Sequence, residues 1–569
     1  MALAFCVWDP PPLGYHERMI FGAPSAALCS AFLLASATAF AHAHDISVIA
    51  RTGQAVAADE PGLTFAGSVG NTPWSHAVMN TSGDVAFTAR VTLPNATTVP
   101  ALFRRDRHGA RMLARVGSAP AYLGGSSITQ VFQPQMADDG SVWVRLVASN
   151  QTGYLVKYLP DGSVSASATT WSTSFGFQLH PRSDEAVYWH PNGTGHVIGA
   201  DPGSMGPLFP SPPVFEGFPA QATQIGLASP HHLNASRGLA SLASYTAGIA
   251  GFAVAAGTPE RVWALIETTT NGPLPPEAGA APRVNTLWAP WLNDHNRFVY
   301  RVDLTSSPWR SVIFFGDGPG ASVLIHHGQA APGFQTGATV SLPNDLGGTP
   351  ILLPRVNNRG AFLIAGRVNG VQGVTGMVYW SGREGGLRPV LIAGVTEAVN
   401  APGVRPSLQF AEADQASPGL AFNDLGQIAF TDARTANPVG AVFGYDPVRG
   451  LVVFARPQTD LTLEPGVVKR VARANLIGPH AGYRNLASGL SGRGRLCFAL
   501  DFTDGTGAVV EAVLRCDADM NGDGFIDFFD LGDYVDAFDA GSPGADFDGD
   551  GFIDFFDADR YLEAYERGC

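Results

Sequence analysis

Between residues 45 and 515, short runs of alternating apolar residues are separated by turns rich in Gly, Asn and Asp. One turn motif recurs: a polar residue, two spacers, Gly, two spacers, and then a small or apolar pair. Asn or Asp can close such a turn by bonding its own backbone, and Gly supplies a positive φ. Each copy therefore predicts a tight turn that leads into a half-buried strand. The clearer copies begin at Asn80, Ala137, Asn293, Asn357, Asn423 and Ser491.

The spacing of these copies predicts a repeat of about four short strands. Neighbouring clear copies lie 57 to 68 residues apart, except between Ala137 and Asn293, where weaker copies near Asn234 and Arg182 fill the gap. In one copy Asn296 replaces Gly, which is acceptable because Asn also tolerates the left-handed conformation. We therefore expect a β-propeller of roughly six to eight blades, with a pair of β-sandwiches as the alternative.

The repeats also resemble a known group of surface proteins. Two copies carry the full Asn-x-x-Gly-x-x-Ala-Phe pattern, with their fixed residues at Asn80, Gly83, Ala86, Phe87 and at Asn423, Gly426, Ala429, Phe430. This pattern resembles the tandem repeat of planctomycete-type surface proteins. The resemblance covers most of residues 45–515 and implies no activity.

The last 54 residues have a different pattern, with two near-identical acidic loops 27 residues apart. Each loop has oxygen-bearing side chains at positions 1, 3, 5, 9 and 12 and a backbone carbonyl at position 7, while Gly at position 6 makes the sharp turn. This spacing surrounds one point with the hard oxygen ligands that Ca²⁺ prefers. We expect two Ca²⁺ ions, although position 12 is Asp where Glu is usual. The predicted ligands are Asp519, Asn521, Asp523, Phe525, Asp527 and Asp530 in the first loop, and Asp546, Asp548, Asp550, Phe552, Asp554 and Asp557 in the second.

A short helix is predicted after each loop. Its apolar face is formed by Tyr534, Val535 and Phe538 after the first loop, and by Tyr561, Leu562 and Tyr565 after the second. The order loop, helix, linker, loop, helix resembles a type I dockerin, and the final Gly568-Cys569 resembles the dockerin variant of planctomycetes. The resemblance covers residues 516–569 and implies a cohesin-like or other surface receptor as partner.

Two aromatic pairs depart from the dockerin pattern. Positions 10 and 11 of the loops carry partner recognition in clostridial dockerins, where small hydroxyl residues are typical. Here they are Phe528, Phe529, Phe555 and Phe556. These rings either pack into the small core of the module or form an apolar contact surface for a partner.

The charge of the chain is concentrated in this tail. Residues 516–569 contain 14 Asp, 2 Glu and 2 Arg and so carry −14, which equals the formal charge of the whole chain. Residues 1–515 are therefore balanced, and the sequence has no basic stripe that would indicate nucleic-acid binding. Cations are the natural partners of such a tail.

The start of the chain predicts export. An uncharged apolar run from Ala26 to Ala41 ends in small residues and is typical of a signal peptide. We assign residues 1–43 to this region and expect translation to begin at Met19, so that Met19 to Ala43 is the part removed on export. An N-terminal membrane anchor is the alternative; the mature chain is expected to have no transmembrane segment. Residues Gly238–Gly257 are uncharged but too rich in small residues for a span, and predict two buried strands.

Export places the remaining cysteines where disulfides persist. Cys516 and Cys569 stand at the two ends of the tail, and a bridge between them would close a small domain that has little core of its own. Cys497 lies in a predicted strand and is expected to be a buried free thiol. The predicted organisation is thus a signal peptide, a β-repeat domain over 44–515 and a dockerin-like domain over 516–569 in a secreted or surface-attached protein.

No catalytic motif is present, so no catalytic residue is assigned. The main hypothesis is a non-enzymatic surface protein, and the alternatives are an extracellular carbohydrate-active enzyme and a calcium-gated membrane or matrix anchor without a receptor. A polysaccharide is a possible ligand for two reasons. Two suitably spaced carboxylates are enough for a glycosidase. Tryptophans can stack on sugar rings, although the alternative is that they fill the core between blades. The acids are Asp184, Glu185, Asp294 and Glu412, and the tryptophans are Trp143, Trp171, Trp189, Trp288, Trp291, Trp309 and Trp380.

Overall fold

The computed structural model describes residues 46–567 with internal gaps. The gaps are 57–61, 67–73, 81–82, 107–108, 171–176, 181–184, 191–194, 200–205, 208–213, 217, 219–222, 235–237, 247–249, 259–260, 268–282, 289, 306–308, 319, 343–353, 372–376, 382–385, 409–419, 433–439, 448, 477–488, 493, 515–517, 521–525, 543, 546 and 548–551. The predicted signal peptide and both Cys516 and Cys569 therefore lie outside the described residues.

Within this part of the chain the strands form eight sheets of four or five strands, here called blades 1 to 8. Strand β1 (Ser47–Arg51) precedes them. Blade 1 contains β2 (Thr64–Phe65), β3 (Trp74–Met79), β4 (Val85–Thr92), β5 (Thr98–Asp106) and β6 (Gly109–Arg115). Blade 2 contains β7 (Ile128–Met136), β8 (Val142–Ala148), β9 (Gly153–Tyr158) and β10 (Val164–Thr170). Blade 3 contains β11 (Phe177–His180), β12 (Glu185–His190), β13 (Gly195–Gly199) and β14 (Gly206–Pro207).

Blades 4 to 6 follow in chain order. Blade 4 contains β15 (Val214–Glu216), β16 (Thr223–Leu233), β17 (Leu239–Thr246), β18 (Ala250–Gly257) and β19 (Arg261–Glu267). Blade 5 contains β20 (Arg283–Leu287), β21 (Trp291–Leu292), β22 (Phe298–Thr305), β23 (Ser311–Gly316) and β24 (Ser322–His326). Blade 6 contains β25 (Thr339–Ser341), β26 (Arg355–Val356), β27 (Phe362–Asn369), β28 (Met377–Ser381) and β29 (Arg388–Ile392).

The last two blades precede a short helical segment. Blade 7 contains β30 (Leu420–Phe422), β31 (Ile428–Asp432), β32 (Ala441–Asp446) and β33 (Gly450–Ala455). Blade 8 contains β34 (Asp460–Glu464), β35 (Val467–Leu476), β36 (Arg495–Phe502) and β37 (Gly507–Val513). Two helices follow, α1 (Phe528–Asp539) and α2 (Phe555–Arg567). Strands β17 and β18 confirm the two strands predicted over Gly238–Gly257.

The eight blades close into a ring. Apolar clusters lie between blades 1 and 2, 2 and 3, 4 and 5, 5 and 6, 6 and 7, and 7 and 8. Blades 3 and 4 are joined by a contact between β11 and β16. A further cluster contains Phe87 and Phe103 of blade 1 together with Cys497 and Val509 of blade 8. Strand β1 adds to blade 8 by pairing antiparallel with β37. This is the β-propeller that the repeat pattern predicts, and Cys497 is buried as expected.

Each repeat turn adopts the predicted backbone. The motif glycines at 83, 140, 360, 426 and 494 have φ between 76° and 85°, and Asn296 has φ 60° where it replaces Gly. The side-chain carbonyl of Asn357 accepts a bond from the backbone N–H of Ala361 at 2.8 Å, and Asn423 binds the N–H of Gln427 at 3.0 Å in the same way. The polar residue of the motif therefore closes its own turn.

The same asparagines also join neighbouring blades. The Asn357 amide donates to the backbone carbonyl of Asn423 at 3.0 Å, and the Asn423 amide donates to the carbonyl of Ser491 at 3.0 Å. Asn234 donates to the carbonyl of Asn293 at 3.0 Å, and Asn293 to that of Asn357 at 2.8 Å. Each bond joins the motif turn of one blade to that of the next. One repeat of the motif along the chain therefore corresponds to one blade.

Candidate calcium-binding and docking site

The two C-terminal helices share one small core. The Tyr534 ring on α1 stacks on the Tyr561 ring on α2, with centroids 3.9 Å apart and planes 3° from parallel. Ala518, Ala545 and Ala564 are buried around this pair. Because both helices contribute equally to the core, residues 518–567 form one module.

The duplication in the sequence is also a duplication in the packing. Core residues 27 positions apart occupy matching places in the two halves. These pairs are Ala518 with Ala545, Met520 with Phe547, Ile526 with Ile553, Leu531 with Ala558, Tyr534 with Tyr561, Ala537 with Ala564, and Phe538 with Tyr565. Tyr534 and Tyr561 are thus equivalent residues of the two repeats that stack on each other in one core.

The predicted helix faces are correct in part. Tyr534 is buried and Phe538 packs against the core, as do Tyr561 and Tyr565. Val535 and Leu562 are exposed, which contradicts their predicted place on the buried face. On a helix, neighbours in sequence lie about 100° apart, and this core is too small to cover both members of each Tyr-Val or Tyr-Leu pair.

Carboxylates at loop positions 9 and 12 start each helix. The Asp527 side chain accepts from the Phe529 N–H at 2.9 Å, while the Asp527 N–H donates to Asp530 at 2.9 Å. In the second loop, Asp554 accepts from the Phe556 N–H at 2.8 Å and its N–H donates to Asp557 at 2.9 Å. This reciprocal pattern is a capping box, in which two helix N–H groups that would lack a helical partner are satisfied.

Three of the predicted calcium ligands are buried carboxylates. Asp519 is 1% exposed, Asp530 0% and Asp557 1%. A buried charge is costly unless it has partners of opposite charge or hydrogen-bond donors. Asp519 forms an ion pair with Arg449 of blade 7, and Asp557 accepts from the backbone N–H of Phe547. Buried carboxylate oxygens at positions 1 and 12 fit the requirements of Ca²⁺, which prefers hard anionic oxygen.

The two position-12 carboxylates influence the ionisation of the core tyrosines. Burial raises the pKa of Tyr534 to about 12, and the negative charge of Asp557 contributes to the same shift. Burial also raises the pKa of Tyr561, with a contribution from Asp530 of the first loop. The position-12 carboxylate of each half therefore acts on the tyrosine of the other half.

The remaining predicted ligands divide between described and undescribed residues. Phe552 is described and exposed. Asn521, Asp523, Phe525, Asp546, Asp548 and Asp550 lie outside the described residues, as do Cys516 and Cys569. The geometry of each whole loop and the predicted disulfide thus remain predictions.

The two aromatic pairs lie on the surface of the module. Phe528 is 76% exposed, Phe529 70%, Phe555 75% and Phe556 66%. None of these four rings belongs to the core around Tyr534 and Tyr561, so the hypothesis that they pack the core is wrong. Each pair occupies the first two positions of its helix, directly after the predicted calcium ligand at loop position 9.

Of the four acids considered for catalysis, only the Asp294 side chain lies among the described residues. Asp294 of blade 5 accepts from the Asn358 amide at 2.9 Å, and this amide also donates to Asp424 at 3.0 Å. These contacts join the turns of blades 5, 6 and 7. Asp184 and Glu412 lie outside the described residues, and the Glu185 side chain is also outside them.

Most of the described tryptophans fill space between blades. Trp143 is fully buried and Trp291 is 9% exposed. Trp309 stacks on His326 with centroids 4.0 Å apart, and the Trp288 indole donates to Asp303 at 2.8 Å. Trp171 lies outside the described residues, and the side chains of Trp189 and Trp380 are also outside them.

Comparison with protein families identifies the chain. The model of a family of unknown function, DUF7453, matches residues 220–514, which run from blade 4 to the end of blade 8. The chain belongs to the DUF7453 family. No curated protein matches this DUF7453 chain.

Several solved structures resemble this DUF7453 member. The β-propeller domain of the Trilobed protease from Pyrococcus furiosus is 9% identical, with a TM-score of 0.37 over 67% of this chain and 97% of that one. The Dos1 propeller is 9% identical, with a TM-score of 0.34 over 79% of this chain and 95% of that one. The polysaccharide lyase Uly1 is 10% identical, with a TM-score of 0.33 over 81% of this chain and 94% of that one. Among the described residues, no helix is long and apolar enough to span a membrane.

Proposed function

We propose that residues 516–569 bind two Ca²⁺ ions and act as a dockerin-like module that attaches the exported β-propeller to a cohesin-like or other receptor at the cell surface. The observation that carries this proposal is the pseudo-twofold module itself. It buries Asp519, Asp530 and Asp557 around a tyrosine pair and exposes four phenylalanines beside the two loops.

The calcium ions supply the charge balance that the module lacks. Its 14 Asp and 2 Glu face only 2 Arg within residues 516–569, so the compact state suffers self-repulsion. Two divalent ions reduce this repulsion by neutralising four of the charges. The expected ligands are the side chains at positions 1, 3, 5, 9 and 12 and the backbone carbonyls of Phe525 and Phe552.

The exposed phenylalanines supply the contact surface. Two exposed pairs of large apolar side chains on a small, highly charged module are the kind of surface feature that marks a protein–protein contact. Their placement at the N-termini of α1 and α2, directly beside the loops, makes the orientation of the rings depend on loop folding. We therefore expect capture by the receptor to require calcium.

A calcium titration of the full-length exported chain tests the metal part of this proposal. Isothermal titration calorimetry should detect two Ca²⁺ per chain, and the combined changes Asp523→Asn and Asp550→Asn should abolish both. Absence of calcium binding by the unchanged chain at millimolar concentration would contradict the proposal.

A capture assay tests the docking part. The purified chain is incubated with cell-envelope fragments of the source organism, in calcium or in a calcium chelator. Retention in calcium and release by the chelator are expected. Equal retention in both conditions would exclude calcium-dependent docking, while the titration would still report on the metal sites.

A further inference from the structure

One arginine of the propeller contacts the first predicted calcium loop. Arg449 lies in the turn between β32 and β33 of blade 7, and its guanidinium forms an ion pair with the Asp519 carboxylate. A second guanidinium nitrogen donates to the Leu514 carbonyl at 3.4 Å. Asp519 is the residue at position 1 of the loop, so the ion pair uses a predicted calcium ligand.

Buried hydrogen bonds hold Arg449 in place. Its backbone N–H donates to Asp446 at 3.0 Å, and the other Asp446 oxygen accepts from the Gln427 amide at 2.7 Å. Gln427 is fully buried, and its side-chain carbonyl oxygen accepts a hydrogen bond from the side-chain amide of Asn423 at 2.7 Å. Asn423 is the motif asparagine of blade 7. A continuous chain of contacts therefore runs from the repeat turn to the calcium loop.

We infer that Arg449 is a built-in competitor of calcium at the first loop and joins the module to the propeller when that loop is empty. This inference rests on the proposed calcium function. Arg449 and Ca²⁺ are both cations, and each is stabilised by the Asp519 carboxylate. When calcium binds, the two cations repel each other at short range in a partly buried site.

Two consequences follow from linkage. The first loop binds calcium more weakly with Arg449 present than without it, and calcium in turn weakens the contact of the first loop with blade 7. The second loop has its own carboxylates, 27 residues further on, and its affinity is independent of Arg449.

The test measures each loop separately in the full-length chain. Asp550→Asn silences the second loop and Asp523→Asn silences the first. With the first loop active, Arg449→Gln should tighten its calcium affinity about tenfold, a typical size for coupling between sites. With only the second loop active, the same change should have no effect. Arg405→Gln is the matched control because it removes an exposed ion pair with Glu397 elsewhere on the propeller.

Two further measurements make the result decisive. Arg449→Lys keeps the charge and should retain the weak affinity of the first loop. Hydrogen exchange of residues 446–450 should become faster when calcium binds the unchanged chain but stay unchanged in Arg449→Gln. An unchanged or weakened first-loop affinity in Arg449→Gln would overturn the inference while leaving the calcium sites intact. Absence of calcium binding in the unchanged chain would overturn the proposed function and this inference with it.

Discussion

The rings of Tyr534 and Tyr561, which occupy equivalent positions in two successive sequence repeats, stack face to face with centroids 3.9 Å apart. The module therefore has one core made of two equal halves, and neither half can keep its helix packed without the other. Loss of core packing in one half should therefore be felt in both loops.

Tyr561→Ala tests this dependence. Removing a fully buried aromatic ring should destabilise the module by about 3–5 kcal/mol and abolish both calcium sites together. Tyr561→Phe should cost much less, because the Tyr561 hydroxyl makes only a long 3.5 Å bond with the Ala518 carbonyl. Calorimetric calcium stoichiometry and thermal unfolding of the full-length chain measure both effects. Loss of one site alone in Tyr561→Ala would contradict a shared core.

Phe528→Ser together with Phe555→Ser should abolish calcium-dependent capture on cell-envelope fragments and leave calcium affinity unchanged. Both rings are exposed, so their removal costs the folded module little. Val395→Ser with Val468→Ser is the matched control, since these residues are exposed apolar side chains of the propeller. Undiminished capture by the double phenylalanine variant would reject the rings as the contact surface.

Asn423→Ala should lower the stability of the propeller by about 2–4 kcal/mol, because several buried hydrogen-bonding groups lose their partner. These groups include the Ser491 carbonyl of blade 8 and the N–H of Gln427. Asn95→Ala, which removes an exposed turn bond to Thr97, should change stability by less than about 1 kcal/mol. Urea unfolding compares the two. Equal midpoints would show that the bond between blades contributes nothing.

Gly360→Ala should destabilise the propeller, mainly because alanine is strained at the positive φ of this position. Gly360 has φ 77°, and a Cβ there would lie 2.5 Å from an Arg297 guanidinium nitrogen of blade 5. A cost of about 1–3 kcal/mol is expected from backbone strain and crowding. Gly318→Ala should be neutral, because no atom lies within 4 Å of its added carbon. Thermal unfolding of both variants gives the comparison.

Tyr534 should ionise near pH 12, above the ordinary value of 10.0, mainly because burial disfavours its charged form. A raised pKa in the folded state adds stability that is fully present below pH 10 and is lost as pH rises through about 12. Absorbance of tyrosinate near 295 nm, compared between the unchanged chain and Tyr534→Phe, isolates this group. Ionisation of Tyr534 near pH 10 would show that it is solvated.

The repeat turns were the most predictable part of the fold. Asn or Asp followed by Gly three residues later constrains the backbone locally, so the left-handed residues, including Asn296, could be identified from the chain alone. The weak copy at Asn234 was also correct, since Asn234 makes the same turn bond, to Gly238, and the same bond to the next blade. Eight blades fall within the predicted range.

Contacts between distant residues could not be predicted. A single sequence does not show that the Asn357 amide meets the carbonyl of Asn423, or that Arg449 meets Asp519. The aromatic pairs were ambiguous for a related reason: their helix positions were clear, but the size of the core that could cover them was not. Val535 and Leu562 were assigned to the wrong environment for the same reason.

The pairing of β1 with β37 has a consequence for how the chain reaches its native state. Ser47 aligns with Glu511, so blade 8 cannot be completed until more than 460 residues after β1 have been synthesised. Contacts between such distant residues make folding slow, because the entropy of closing the loop is lost before the contacts are gained. During synthesis, β1 is made before β37 and remains an unpaired edge until β37 follows. Until then, the free edge of β1 exposes backbone N–H and C=O groups that can pair with another chain.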